Sequence, residues 1–155
     1  MPLHALFSPA LSLTAVAASS QKRLFETVAR RVAAEYSMLD ADRLFDALIA
    51  RERLGSTGLG DGVAVPHCRL AGLECAATGA LVQLATPLDF DAADRRPVDI
   101  LAFLIVAEGA DAAATQGHLD LLAALAARLG ESRVRAALRA ARSPVALCSA
   151  LCGPP

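Results

Sequence analysis

A chain of 155 residues, 55% hydrophobic and 20% charged with a formal net charge of −1 at pH 7, has the length and apolar content for one packed domain. That composition excludes a disordered chain, and near-neutral charge removes the electrostatic basis for nucleic-acid binding. Basic residues gather locally at Arg30 and Arg31 and at Arg133, Arg135, Arg139 and Arg142, where their helical spacing reads as a solvated face.

In chain order, Leu11 to Ala18 is apolar but lacks a basic leader and is too short to span a bilayer. It reads as a short buried segment ahead of a helix cap at Ser19 or Ser20, so no membrane insertion is expected and the protein reads as cytoplasmic. The first clear helix runs from about Ser20 to Tyr36, with Leu24, Val28, Val32 and Tyr36 on one stripe. A second follows the N-cap Asp40, turns Leu44, Leu48 and Ile49 inward, and stops at Gly55. Its last turn carries Arg51, Glu52 and Arg53. Val63 to Val65 reads as a strand that delivers His67 at its end. Ala76 to Leu84 is a further strand, and the apolar run Val98 to Val106 is a strand covered on both faces. Helices are expected from about Gln116 to Leu129, from about Ser132 to Ala141, and from the Ser143-Pro144 cap.

Strands interleaved with helices predict an α/β fold: a single domain over residues 1–155, with its core at about 10–152. The sheet should be mixed with helices on both faces, because the link from Leu84 to Val98 is too short for a crossover helix. The four cysteines, Cys68, Cys75, Cys148 and Cys152, form no C-x-x-C pair and read as free thiols.

The segment "GSTGLGDGVAVPHCRL", Gly55 to Leu70, carries the chemistry. It lacks the Lys-Ser/Thr ending of a phosphate-binding P-loop and precedes a strand where that motif opens a helix. No G-x-S-x-G supports a serine hydrolase. Cys68 beside His67 points to the opposite face of an extended chain, which disfavours a nucleophile–base pair. A metal site from His67, His118 and an aspartate stays open. So does a third option, in which a neutral imidazole at His67 accepts a phosphoryl group. Glycines allow backbone N–H groups close to the phosphoryl oxygens, Ser56 and Thr57 add hydroxyls, and Arg51 adds a charge. His118, read as opening a helix, gains from the helix dipole.

The stretch "RERLGSTGLGDGVAVPH" resembles the active-site signature of the enzyme IIA domains of the bacterial phosphotransferase system, fructose–mannitol class. The likeness extends through "QKRLFETVA", "VQLATPLDFDAADRRPVDILAFLIV" and "HLDLLAALAARL", and is similar above all to the nitrogen-regulatory branch. The resemblance implies a mixed sheet with helices on both faces and no metal or organic cofactor. It implies phosphorylation of His67 by an HPr-like phosphocarrier, support from His118 and Arg51, and a phosphoryl cradle at Ser56, Thr57 and Gly58. The phosphorylation state would then regulate target proteins. Two rivals stand beside this: a sugar-transport enzyme IIA that passes the group to an enzyme IIB, and a binding regulator that is not phosphorylated. Glu52 reads as a structural partner for a nearby arginine, and Leu59 and Leu70 as an apolar rim for a docking partner. His4 has no expected role. Two departures from the family pattern are Cys68, where glycine is usual, and the long "EGADAAATQG" before His118.

Overall fold

The computed structural model describes residues 2–109 and 111–153. A short helix α1 (Leu3–Leu6) and a 3-10 turn (Pro9–Leu11) lead into strand β1 (Ser12–Val16). Two helices follow, α2 (Gln21–Glu35) and α3 (Ala41–Leu54). The strands β2 (Gly58–Gly60), β3 (Val63–Ala64), β4 (His67–Leu70), β5 (Ala77–Leu88) and β6 (Val98–Ala107) come next, and helices α4 (Ala112–Leu129), α5 (Ser132–Ala140) and α6 (Pro144–Cys152) complete the fold.

Capping residues fix the helix starts. The Ser20 side chain accepts from the Arg23 N–H, Asp40 from Asp42 and Arg43, and Ser143 from Ala146. Helix α4 departs from expectation because Asp111 caps it, accepting from the Ala114 N–H at 2.7 Å. The helix therefore begins at Ala112, not Gln116, and His118 lies in its second turn. At that position its own backbone N–H is no longer one of the free donors that give a helix start its anion affinity. His118 therefore does not gain from the helix dipole as expected.

The sheet is mixed, in the order β1-β5-β6-β3-β2, with β4 also paired to β6. Strand β5 runs antiparallel to β6, as the short link demands, while β1 is parallel to β5. The Leu11 to Ala18 segment is thus largely an edge strand; its burial does not alternate, with Ser12 buried and Leu13, Thr14 and Val16 half-buried, so period 2 does not announce it. Strands β3 and β4 are parallel to β6 in one continuous register, Ala64 opposite Leu101 and His67 opposite Leu104. Pro66, which has no N–H, breaks the line between them. His67 therefore opens a strand where the sequence placed it at the end of one.

Helices α2 and α3 cover one face of the sheet, and α4, α5, α6 and α1 the other. On the first face the fully buried Phe25 meets Phe103 edge-on, centroids 5.3 Å apart. Between the layers, the buried Gln83 ties three elements together. Its amide N–H donates to the Leu138 and Ala141 carbonyls at 2.9 Å each, and its Oε1 accepts from the Ala15 N–H at 3.1 Å.

The Ala141 carbonyl also accepts from Arg142, but the buried bonds to the Leu138 carbonyl and the Ala15 N–H would be lost, so Gln83→Ala is expected to cost roughly 2–4 kcal/mol. Urea unfolding should show a lower midpoint with an unchanged slope. An unchanged midpoint would mean that α5 and β1 are held by packing alone.

Candidate functional site

Strand β4 is short and has no strand on its outer side among the described residues, so helices α3 and α4 can approach its open edge. At its first residue, the His67 Nδ1–H donates to the Val65 carbonyl at 2.8 Å. A carbonyl only accepts, so the proton of neutral His67 sits on Nδ1 and the lone pair on Nε2. The Arg51 Nε–H, from the last turn of α3, donates to that Nε2 at 3.2 Å. A second bond from Arg51 Nη1 to the Gly55 carbonyl, 2.9 Å, steadies the guanidinium.

His118 stands across from His67, ring centroids 5.6 Å apart and nearly perpendicular at 86°. The Arg69 Nε–H donates to His118 Nδ1 at 3.2 Å, which assigns the proton of neutral His118 to Nε2. That Nε2 is buried and has no hydrogen-bond partner among the described residues. Arg69 escaped the sequence reading, although its spacing of two from His67 on a strand puts both on one face.

Two depressions, of about 360 and 550 Å³, meet at Arg51 and His67. Ser56, Thr57 and Gly58 line the first, while Arg69 and His118 line the second. Four polar hydrogens of the loop are committed internally. The Ser56 hydroxyl donates to the Phe90 carbonyl at 2.7 Å and accepts from the Gly58 N–H at 3.1 Å. The Thr57 hydroxyl and N–H both donate to Glu52, at 2.6 and 3.0 Å. Glu52 is therefore a partner of Thr57, not of an arginine as expected. Its carboxylate has two acceptors, and the loop folds back to offer two donors.

Leu59 lines the first depression and Leu54 the second, both exposed, Leu54 at 84% of its surface; Leu119, next to His118 on α4, is exposed as well. Leu70, expected on this rim, is buried instead, because period-2 alternation turns Cys68 and Leu70 into the core beneath α2 and α3. Burial also pushes the Cys68 thiol up to about 12, which leaves no thiolate near neutrality. Among the described residues no three His, Cys, Asp or Glu side chains converge to hold a metal, and no helix is long and apolar enough to cross a membrane.

The chain matches the family model described as "Phosphoenolpyruvate-dependent sugar phosphotransferase system, EIIA 2" over residues 5–152, and belongs to that family. It is a phosphotransferase-type component. Within the family its likeness is to the nitrogen regulatory proteins. One from Pseudomonas aeruginosa is 46% identical over 145 residues, covering 94% of this chain and 91% of the relative. The crystal structure of nitrogen regulatory protein IIA-Ntr from Neisseria meningitidis superposes with a TM-score of 0.86 at 36% identity, covering 96% of this chain and 98% of that one. The mannitol IIA of Escherichia coli shares the fold at a TM-score of 0.72 and 15% identity, covering 94% and 98%.

Both imidazoles titrate below the ordinary 6.5, His67 because burial outweighs its bond to the Val65 carbonyl, His118 because burial is reinforced by the His67 and Arg69 charges. The unfolded chain therefore binds more protons below pH 6.5, so stability is lost as pH falls from there through the folded values. Nuclear magnetic resonance titration is expected to place both midpoints below 6.5, and His67→Ala should flatten the decline in the urea midpoint. A midpoint at or above 6.5 for His67 would show that the ring is solvated.

Proposed function

We propose that His67 is the phosphoryl acceptor, and that Nε2 is the attacking atom. The observation carrying this is the tautomer: the Val65 carbonyl holds Nδ1–H and leaves the Nε2 lone pair toward Arg51. The depressed pKa keeps the ring neutral, hence nucleophilic, near pH 7.

Transfer from an HPr-like carrier breaks the N–P bond of the carrier's phosphohistidine as Nε2 of His67 forms its own. The carrier imidazole leaves with the electron pair. On His67 the ring gains positive character, and the Nδ1–H bond to Val65 strengthens to offset it. Arg51 moves from the lone pair to the equatorial oxygens, and His118 Nε2–H, which has no partner among the described residues, adds a second donor. Ser56, Thr57 and Gly58 shape the wall of the cradle. The exposed Leu54, Leu59 and Leu119 form the apolar collar that seats the carrier and, in turn, the regulated target proteins. This work requires no metal or organic cofactor and takes place in the cytoplasm. The nitrogen-regulatory likeness favours control of targets by phosphorylation state over delivery of phosphate to a transporter subunit.

Incubation with phosphorylated carrier should add one phosphate, labile in acid and stable in alkali, and His67→Ala should take up none. Arg51→Ala and His118→Ala should fold and accept phosphate at least about 100-fold more slowly, the usual effect of removing one transition-state donor. Full labelling of His67→Ala by mass spectrometry would overturn the assignment.

A further inference from the structure

The bond that selects the His67 tautomer depends on where the Val65 carbonyl stands, and Val65 sits at the Pro66 interruption between β3 and β4. Pro66 has no N–H to pin this bend, although its carbonyl accepts from the Leu104 N–H at 2.9 Å. Val65 is held instead from the preceding peptide: its N–H donates to the Thr57 carbonyl at 3.0 Å, which fixes the residue whose carbonyl receives His67. Thr57 is itself fixed by Glu52, whose Oε2 accepts the Thr57 N–H at 3.0 Å and whose Oε1 accepts the Thr57 hydroxyl at 2.6 Å. Thr57 is only 6% exposed, so these bonds have little competition from water.

From this chain of contacts we infer that Glu52 is a positioning residue for His67, acting through Thr57 and Val65 to hold the ring in its Nδ1–H tautomer. Its two hydrogen bonds go to Thr57 and not to His67, although its charge also acts on the ring directly, favouring the protonated imidazole. The geometry calls for a carboxylate: both oxygens accept, and both face donors of one residue. Glutamine offers one acceptor and one donor, so one of the two Thr57 hydrogens would meet an N–H. Consecutive residues of α3 thus work on the same imidazole from two directions, Arg51 at Nε2 and Glu52 through the loop at Nδ1. The pairing also explains a Glu beside an Arg at this helix end, where the macrodipole disfavours a carboxylate. The role rests on His67 as phosphoryl acceptor, but the tautomer itself is a property of the free protein.

The test is a two-bond ¹H–¹⁵N correlation spectrum of uniformly ¹⁵N-labelled, unphosphorylated protein, recorded above the His67 titration. Wild type should show His67 as the Nδ1–H form. Glu52→Gln and Thr57→Val should shift the tautomer ratio toward Nε2–H by roughly fivefold or more, as loss of one ordinary hydrogen bond would give. Thr57→Ser, which restores the hydroxyl, should return the wild-type ratio. An unchanged ratio in folded Glu52→Gln and Thr57→Val would overturn the role, and so would a Thr57→Ser ratio matching Thr57→Val. If Glu52→Gln fails to fold, the two Thr57 variants decide alone. Because no phosphate is involved, failure of the acceptor assignment would show in labelling of His67→Ala and leave this spectrum standing.

Discussion

One hydrogen bond, from His67 Nδ1 to the Val65 carbonyl two residues earlier, sets what the site can do. It spans a break in a strand, so the fold must supply the break and keep it rigid. The register of β3 and β4 on β6 does the second job, running on past Pro66 as though the strand were continuous. The proline does the first, since a residue with an N–H there could bond on into the ladder. Strand β6 anchors the arrangement: Ile100 to Ile105 are fully buried, so the segment that aligns the histidine is among the least mobile in the molecule.

Around that bond the chain places its charges with restraint. Arg51 is held by Gly55, and Arg69 by His118, so neither cation swings freely in the depression. The turn between β2 and β3 is fastened elsewhere, where Arg139 pairs with Asp99 at 3.0 Å and also donates to the Asp61 carbonyl. Gly62, at φ +81°, passes so close to Arg139 that an added Cβ would meet its Nη2. Glycine here serves close approach within the protein. The same holds for Gly58, whose Cβ would come within 2.9 Å of Ala92. The glycines that suggested an open anion cradle thus let a hairpin lie flat against its supports.

The layered fold and mixed sheet could be read from local signals: caps at Ser20, Asp40 and Ser143, a run of buried residues at β6, and a link too short to cross over. The start of α4 was legible too and was misplaced: Asp111 is a preferred N-cap residue and its local bond to the Ala114 N–H, not Gln116, sets the first turn. Elements of two to four residues, β2, β3 and β4, leave too little sequence for a period to register. At the site, Arg51, His67 and His118 were named from the sequence and are brought together by the structure. The Val65 carbonyl and the Glu52–Thr57 clamp were not legible, the first because it is backbone, the second because a Glu beside an Arg suggests an ion pair before a loop tie.

A phosphoryl group on His67 would bring roughly −1.5 to −2 charges, by analogy with phosphorylated hydroxyl residues, into a hollow with two arginines and an apolar collar. Arg51 can match that charge only by giving up the Nε2 lone pair it now faces, while its remaining N–H groups and those of Arg69 turn toward the phosphoryl oxygens. The free and phosphorylated forms would then differ in the positions of Arg51 and Arg69 as well as in net charge. A protein seated on Leu54, Leu59 and Leu119 would bury that charge against its own surface in one form and find an uncharged imidazole in the other. Desolvation at a collar of this kind penalises a misplaced charge far more than open water does, so discrimination needs no movement of the fold. The apolar residues that admit a carrier would be the ones that make the modification legible to a target.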